Sequence, residues 1–233
     1  MNRTLKNLAA VHIALLIGVA LFWYIFDYKS KSSTITAVPD FSSMENVQEK
    51  KDAFFEFMLP IIRGVNDDIR KERQLVYDFK RQLDSGRSFS KRDAEQFAEL
   101  TRKYRLKVEQ LSYEKNIKSL LKRVDTIPAS LALAQAANES AWGTARFARE
   151  GNNYFGLWCW SKNCGMIPTE RDEEAIHEVA SFKTVDAGVA YYMQNLNSHP
   201  AYQLLRDLRA ALKAKGKPVK GWDLAGGLLD YSE

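Results

Sequence analysis

The chain has 233 residues, 45% of them apolar and 12% aromatic, and its 34 basic against 29 acidic side chains leave a net charge of +5. That length suits one domain with appendages and leaves little room for a second large one, while the apolar content is ordinary for a globular protein. The basic excess favours a polyanionic surface such as nucleic acid, anionic lipid or an acidic cell wall.

Residues 1–7 precede LAAVHIALLIGVALFWYIF, Leu8 to Phe26, which carries no formal charge and only His12 as a titratable group. As a helix it would reach about 28 Å, close to the hydrocarbon thickness of a bilayer. The run ends in bulky aromatics, FWYIFDY, instead of a small-x-small cleavage site, so it reads as an uncleaved transmembrane anchor over a signal peptide. Arg3 and Lys6 before the span, against Lys29 and Lys31 offset by Asp27 after it, favour a cytoplasmic N-terminus of residues 1–7. The remainder would then lie outside the cytoplasmic membrane, in a periplasm or cell-wall space, where nucleic acid is not an expected partner.

Residues 27–46 are rich in Ser and Thr without amphipathic period and read as a linker. A helical N-terminal part over 47–124 follows. Phe54, Phe57, Met58, Ile61 and Ile62 recur at helical spacing, and Pro60 within them predicts a kink or a break. Ser90-Lys-Arg-Asp93 resembles a capping box opening a helix through Tyr104, and Leu120, Leu121 and Val124 mark another helix. From 125 the core begins: Pro128 starts the helix PASLALAQAANES, expected to be central, and GNNYFG ends helical structure. HEVASFKTV predicts a short hairpin, and a last helical stretch opens with Asp186 as N-cap candidate and breaks around 197–200. Cys159 and Cys164, five apart in CWSKNC, can close a small disulfide ring in an exported domain; two buried free thiols or a metal site are the alternatives, the last weakened by the lack of a Cys/His cluster.

Glu139 stands alone between small helix formers and a patch rich in Gly, Asn and aromatics. A Glu near a helix end is ordinarily a solvated charge. Its neighbours Trp142, Phe147, Tyr154, Phe155, Trp158 and Trp160 offer flat apolar faces of the sort sugars stack on, though the same rings could be core. A carboxyl against such surface is pushed toward its protonated form, which is what a glycosidase needs to protonate a leaving glycosidic oxygen.

The string ALAQAANESAWGTARFAREGNNYFGLW resembles the signature of the glucosaminidase family, glycoside hydrolase family 73 and its relatives. More narrowly, KKDAFFEFMLPII, LLKRVDTIPASLALAQAANESAWGTARFA, NNYFGLWC and NLNSHPAY resemble the bacterial Bax-type proteins of that group, over roughly residues 48–231. The resemblance implies a mainly α (α+β), lysozyme-like domain with a small β-hairpin lobe, and a peptidoglycan endo-β-N-acetylglucosaminidase needing neither cofactor nor metal. It implies Glu139 as general acid and Tyr231 as an active-site tyrosine, although Asp230 stands where the family has Gly and Glu233 follows Ser232. Glu170, in Thr169-Glu170 ahead of Phe182-Lys183, is the nearest second carboxylate, with Glu174 and Glu178 as rivals and a solvated ERDEE loop as the plain alternative. Trp142, Asn153, Tyr154, Phe155, Gly156 and Trp158 are the expected substrate-binding residues. A muramidase, a lytic transglycosylase and a catalytically silent wall-binding scaffold are the rival readings.

Overall fold

The apolar stripe from Phe54 to Ile62 becomes the spine of the fold, a helix α1 running Val47–Asp84. The computed structural model describes residues 37–107, 112–168 and 177–231, with side chains up to 228. The Leu8–Phe26 span, and with it the membrane anchor, lies outside the described residues. Among those described, no helix is long and apolar enough to cross a membrane. Length alone would let α1 do so, but its outward positions are heavily charged.

Asn46 caps α1, its side chain accepting from the N–H groups of Gln48 and Glu49. The expected break at Pro60 does not occur: α1 is continuous through it. Pro60 is exposed, so the backbone carbonyl it orphans can turn to water, while Phe54, Met58, Ile62 and Ile69 stay buried on the opposite side. Tertiary packing of that stripe outweighs the local preference of the proline.

After a turn, α2 (Lys91–Lys103) opens with the full capping box between Ser90 and Asp93. Two hydrogen bonds to the Asp93 carboxylate, from the Ser90 hydroxyl and backbone, hold it below its usual carboxylate range. α3 (Tyr113–Arg123) and α4 (Ala129–Glu139) follow, and α1 packs against both. Pro128 takes the cap position of α4, one residue before its first turn. Leu131, Ala132, Ala136 and Ala137 bury one side of α4, whose small side chains admit α1 closely.

The α3–α4 junction is fixed by polar groups. Asn66 of α1 donates to the Ile127 carbonyl and accepts from the Ile127 N–H, at 2.8 and 3.0 Å. Asp125, nearly buried, meets Arg73 of α1 at 3.5 Å. It also meets Arg209 and Lys213, at 3.8 and 2.6 Å, from α7 (Gln203–Ala214). Arg209 is itself buried and donates to the Asn197 side chain and to the Lys122, Asp125 and Thr126 carbonyls. Burial draws its guanidinium down to about 10, with the Asp125 charge opposing that pull. The carbonyls left over at the end of α3 are thereby satisfied by cations, and the start of α4 is locked in place.

α5 (Arg146–Gly151) leads into a small antiparallel sheet, with β1 Trp158–Cys159, β2 Gly165–Met166 and β3 Glu178–Ala180 in the order β1-β3-β2. This replaces the hairpin expected within HEVASFKTV: Glu178–Ala180 is the middle strand, flanked by two segments from earlier in the chain. Gly165 permits the close approach, since a β-carbon there would lie 1.9 Å from the Val179 carbonyl oxygen. α6 (Val185–Ser198) returns to α1, capped by the Thr184 hydroxyl accepting from the Ala187 N–H, with Asp186 in its first turn and not at the cap. It stops at Ser198, and His199-Pro200 starts a 3-10 turn before α7. α8 (Gly221–Ala225) and a final 3-10 helix, Gly226–Tyr231, pack against α7.

The expected linker is not loose over its last part. Phe41, in a 3-10 turn Phe41–Ser43, is buried against Phe54 and Phe57 with ring centroids 5.5 and 6.0 Å away.

Candidate active site

α4 ends at Glu139, and the chain turns sharply there. Ala141, Trp142 and Gly143 have successive φ values of 48°, 59° and 81°, a left-handed run that L side chains rarely adopt. The Ser140 hydroxyl accepts from the Gly143 N–H at 2.8 Å, the Trp142 N–H donates to the Ala137 carbonyl at 2.9 Å, and the Ala145 N–H donates to that of Ser140 at 2.9 Å. Glycine is required at 143, where a β-carbon would lie 2.4 Å from the Phe41 ring. The docked Phe41 and the three bonds hold a turn that costs of the order of 1–2 kcal/mol per non-glycine residue. Strain of this kind beside a lone carboxylate points to a functional constraint.

Glu139 is half-buried. Its Oε1 accepts from Asn138 Nδ2 at 3.2 Å, and its Oε2 faces Gly156, where an added β-carbon would come within 3.6 Å. Gly156 has φ +62° and belongs to the turn Asn153–Leu157. That turn is built by Asn153, which is buried. Its Nδ2 donates to the Leu157 and Ala180 carbonyls at 2.9 and 2.8 Å, and its Oδ1 accepts from the Phe155 and Leu157 N–H groups at 3.3 and 3.0 Å.

The rings of the NNYF segment are core and not a groove wall. Tyr154 lies 1% exposed against Phe54 and Phe57, and its hydroxyl is pushed up to about 12 by burial. Phe155 stacks on the buried Tyr192 of α6, centroids 3.9 Å apart. Burial raises the Tyr192 hydroxyl well above its usual value, and the Tyr202 and Glu139 charges add to the rise. Asn153, Tyr154 and Phe155 therefore hold the Gly156 turn against Glu139 from behind.

Trp142 is half-exposed and braced edge-on by Phe54 and Phe55 of α1, at 5.7 and 5.4 Å, with Lys51 Nζ 5.0 Å above its ring. Together with Phe55, Leu133, Ala134, Ala137 and Asn138 it lines an apolar cleft of about 490 Å³ along α4. The cleft stops one residue short of Glu139, with Asn138 shared between them. Phe55 and Asn138 were not among the residues expected from sequence. Phe55 is separated from Glu139 by more than eighty positions, and Asn138 carries only its adjacency to Glu139 as a signal.

Cys159 and Cys164 form a disulfide, so of the three sequence alternatives the ring is the one found. Both sulfurs approach the Glu178 carboxylate, but bonded to each other they leave no thiolate for a metal. Glu178 is buried and accepts from the Asn163 and Gly165 N–H groups at 3.0 and 2.8 Å, which commits it to the disulfide-closed loop. Trp158 is exposed and stacks on His177. Glu170 and Glu174 lie outside the described residues, as does the side chain of Tyr231, whose backbone ends the last 3-10 helix.

Residues 114–222 match the family model Glucosaminidase, described as mannosyl-glycoprotein endo-β-N-acetylglucosaminidase. The chain is similar to the protein named Protein bax of Escherichia coli strain K12, 29% identical over 206 residues that cover 88% of this chain and 72% of the relative. No solved structure matches. The matched span contains Glu139, the strained turn after it, the Gly156 turn and the sheet. The match over residues 114–222 makes this part of the chain similar to the glucosaminidase family and supports a glycoside hydrolase.

Proposed function

We propose that the protein is a peptidoglycan endo-β-N-acetylglucosaminidase in which Glu139 is the general acid. The observation that carries this reading is the half-buried Glu139 carboxylate facing the Gly156 turn, at the end of the helix whose preceding residues line an apolar cleft. In this role Glu139 passes a proton to the leaving oxygen of a β-1,4 bond. Asn138, already bonded to Oε1, orients the carboxyl so that Oε2 faces the bond. Trp142 and Phe55 supply ring faces for the glycan along α4.

The water-activating role falls to Glu170 in an inverting mechanism, which requires the two carboxyl groups to lie roughly 6.5–9.5 Å apart. With no such carboxylate in range, the acetamido group of the substrate takes the part of nucleophile. Tyr231 is assigned to positioning substrate or water. Residues 8–26 are assigned to a membrane anchor that holds the domain on the wall-facing side.

Digestion of purified wall glycan followed by mass spectrometry of the fragments tests the bond specificity. N-acetylglucosamine at the new reducing ends supports the reading. N-acetylmuramic acid there, or its anhydro form, would replace it with a muramidase or a lytic transglycosylase respectively.

A further inference from the structure

The strand register divides the side chains of the small sheet between two faces. Trp158 pairs with Val179 and Cys159 with Glu178, so directly opposed residues share a face and successive ones alternate. One more step in that register sets Trp160 opposite His177. Trp158, Trp160 and His177 therefore fall on one face, and Cys159 and Glu178 on the other. The contacts agree: Trp158 stacks on His177 at 4.0 Å, and Trp160 meets His177 edge-on at 5.9 Å and Trp158 at 6.4 Å.

The two faces differ in kind. Behind, the Cys159–Cys164 disulfide and the buried Glu178 carboxylate fasten the loop that carries Trp160. In front, Trp158 is 49% and Trp160 68% exposed, an arrangement a soluble domain avoids unless the rings are used. Flat rings with a polar edge suit the C–H face and hydroxyl rim of a pyranose. The patch is also joined to the candidate site. Trp158 is two residues from Gly156, at most about 7 Å along the backbone, so the chain passes directly from the Gly156 turn that faces Glu139 into the aromatic face.

We propose that Trp158, Trp160 and His177 form a saccharide-stacking platform that grips the glycan strand on the sheet side of the bond to be cleaved. This rests on the glucosaminidase reading above and extends it to a further subsite. The platform binds N-acetylated hexopyranose rings with no demand on the peptide stems. It makes the enzyme favour strands that reach both the bond-cleaving position and the platform over those too short to span the two.

The test uses the full chain carrying Glu139→Gln to prevent turnover, with peptide-free wall glycan strands as the probe. Trp160→Ala in that background is expected to weaken binding about tenfold, the loss of one well-formed aromatic contact. Trp160→Phe should recover part of it. In chains with Glu139 intact, Trp160→Ala should raise KM for long strands while leaving turnover of a trisaccharide unchanged. Unaltered circular dichroism and an intact disulfide establish that the variants fold. Equal affinity of the Trp160→Ala and Trp160 chains for long strands overturns the platform while leaving the glucosaminidase reading standing. Failure of the unsubstituted chain both to bind and to cleave glycan overturns the two together.

Discussion

Gly156 and the Glu139 carboxylate face each other closely enough that a single added methyl would touch Oε2, at 3.6 Å. Gly156 also holds φ +62°. Gly156→Ala therefore meets two penalties, of which the left-handed backbone is the larger for stability, about 1–2 kcal/mol. The contact itself is ordinary van der Waals packing, but it occupies the space in front of the proposed acid. Glycan cleavage should fall by about tenfold or more with a modest drop in melting temperature. Unchanged activity alongside a normal fold would remove Gly156 from the site.

Asn153 stitches that turn from behind with four hydrogen bonds. Asn153→Ala leaves buried backbone groups without partners and should cost about 2–4 kcal/mol, seen as a melting temperature roughly 4–16 °C lower. Activity at a temperature where the variant is folded should also drop, because the Gly156 turn loosens. Asn153→Asp gives a second readout: it keeps the two acceptor bonds but sets a buried carboxylate oxygen against the Leu157 and Ala180 carbonyls, so its melting point should fall at least as far as that of the alanine variant.

Asp125 gathers Arg73, Arg209 and Lys213 from two helices at the entry to α4. Removing its charge by Asp125→Asn leaves the buried Arg209 without its counter-ion, a loss on the order of 3 kcal/mol. Urea denaturation should show a lower midpoint at an unchanged slope. A midpoint within experimental error of the parent would mean that the carbonyls around Arg209 suffice to hold it.

Acid should loosen the α6–α7 corner through His199. Desolvation, with Arg105 and Arg206 nearby, holds the imidazole below its ordinary 6.5. Its Nδ1 accepts from the Ala201 N–H at 3.3 Å and its ring lies 6.0 Å from that of Tyr202, so the fold is built around the neutral form. With the folded value lowered, the unfolded chain binds more protons just below 6.5. The contribution is therefore complete above about 6.5 and is lost as pH falls toward the folded value. Urea midpoints of the parent should decline from pH 7.5 to 5 more steeply than those of His199→Gln. Parallel declines would clear His199 of that role.

Local signals in the sequence carried far. The capping box at Ser90, the helix Ala129–Glu139 and the stop before Pro200 each depend on residues adjacent in the chain, and each was legible there. At Pro60 the helix does not break, because whether a lost helix bond ends a helix depends on which side faces water, a tertiary fact. Phe41 looked like linker because its partners, Phe54 and the space over Gly143, come from the folded body. Strands of two and three residues are too short for alternation to declare their pairing, hence the hairpin expected where a three-stranded sheet stands among the described residues. At the candidate site the carboxylate itself stood out. The sequence did not distinguish the aromatics that hold the turn, Tyr154 and Phe155, from those that face solvent, Trp158 and Trp160, because identical ring chemistry serves both.

The most direct measurement compares the full chain with its Glu139→Gln form on purified wall glycan, by the rate at which soluble fragments appear. The amide keeps the shape and the Asn138 contact but has no proton to donate, so release should fall by about a hundredfold or more with glycan binding retained. Release at the parental rate from the glutamine form would contradict the assignment of Glu139 as the acid.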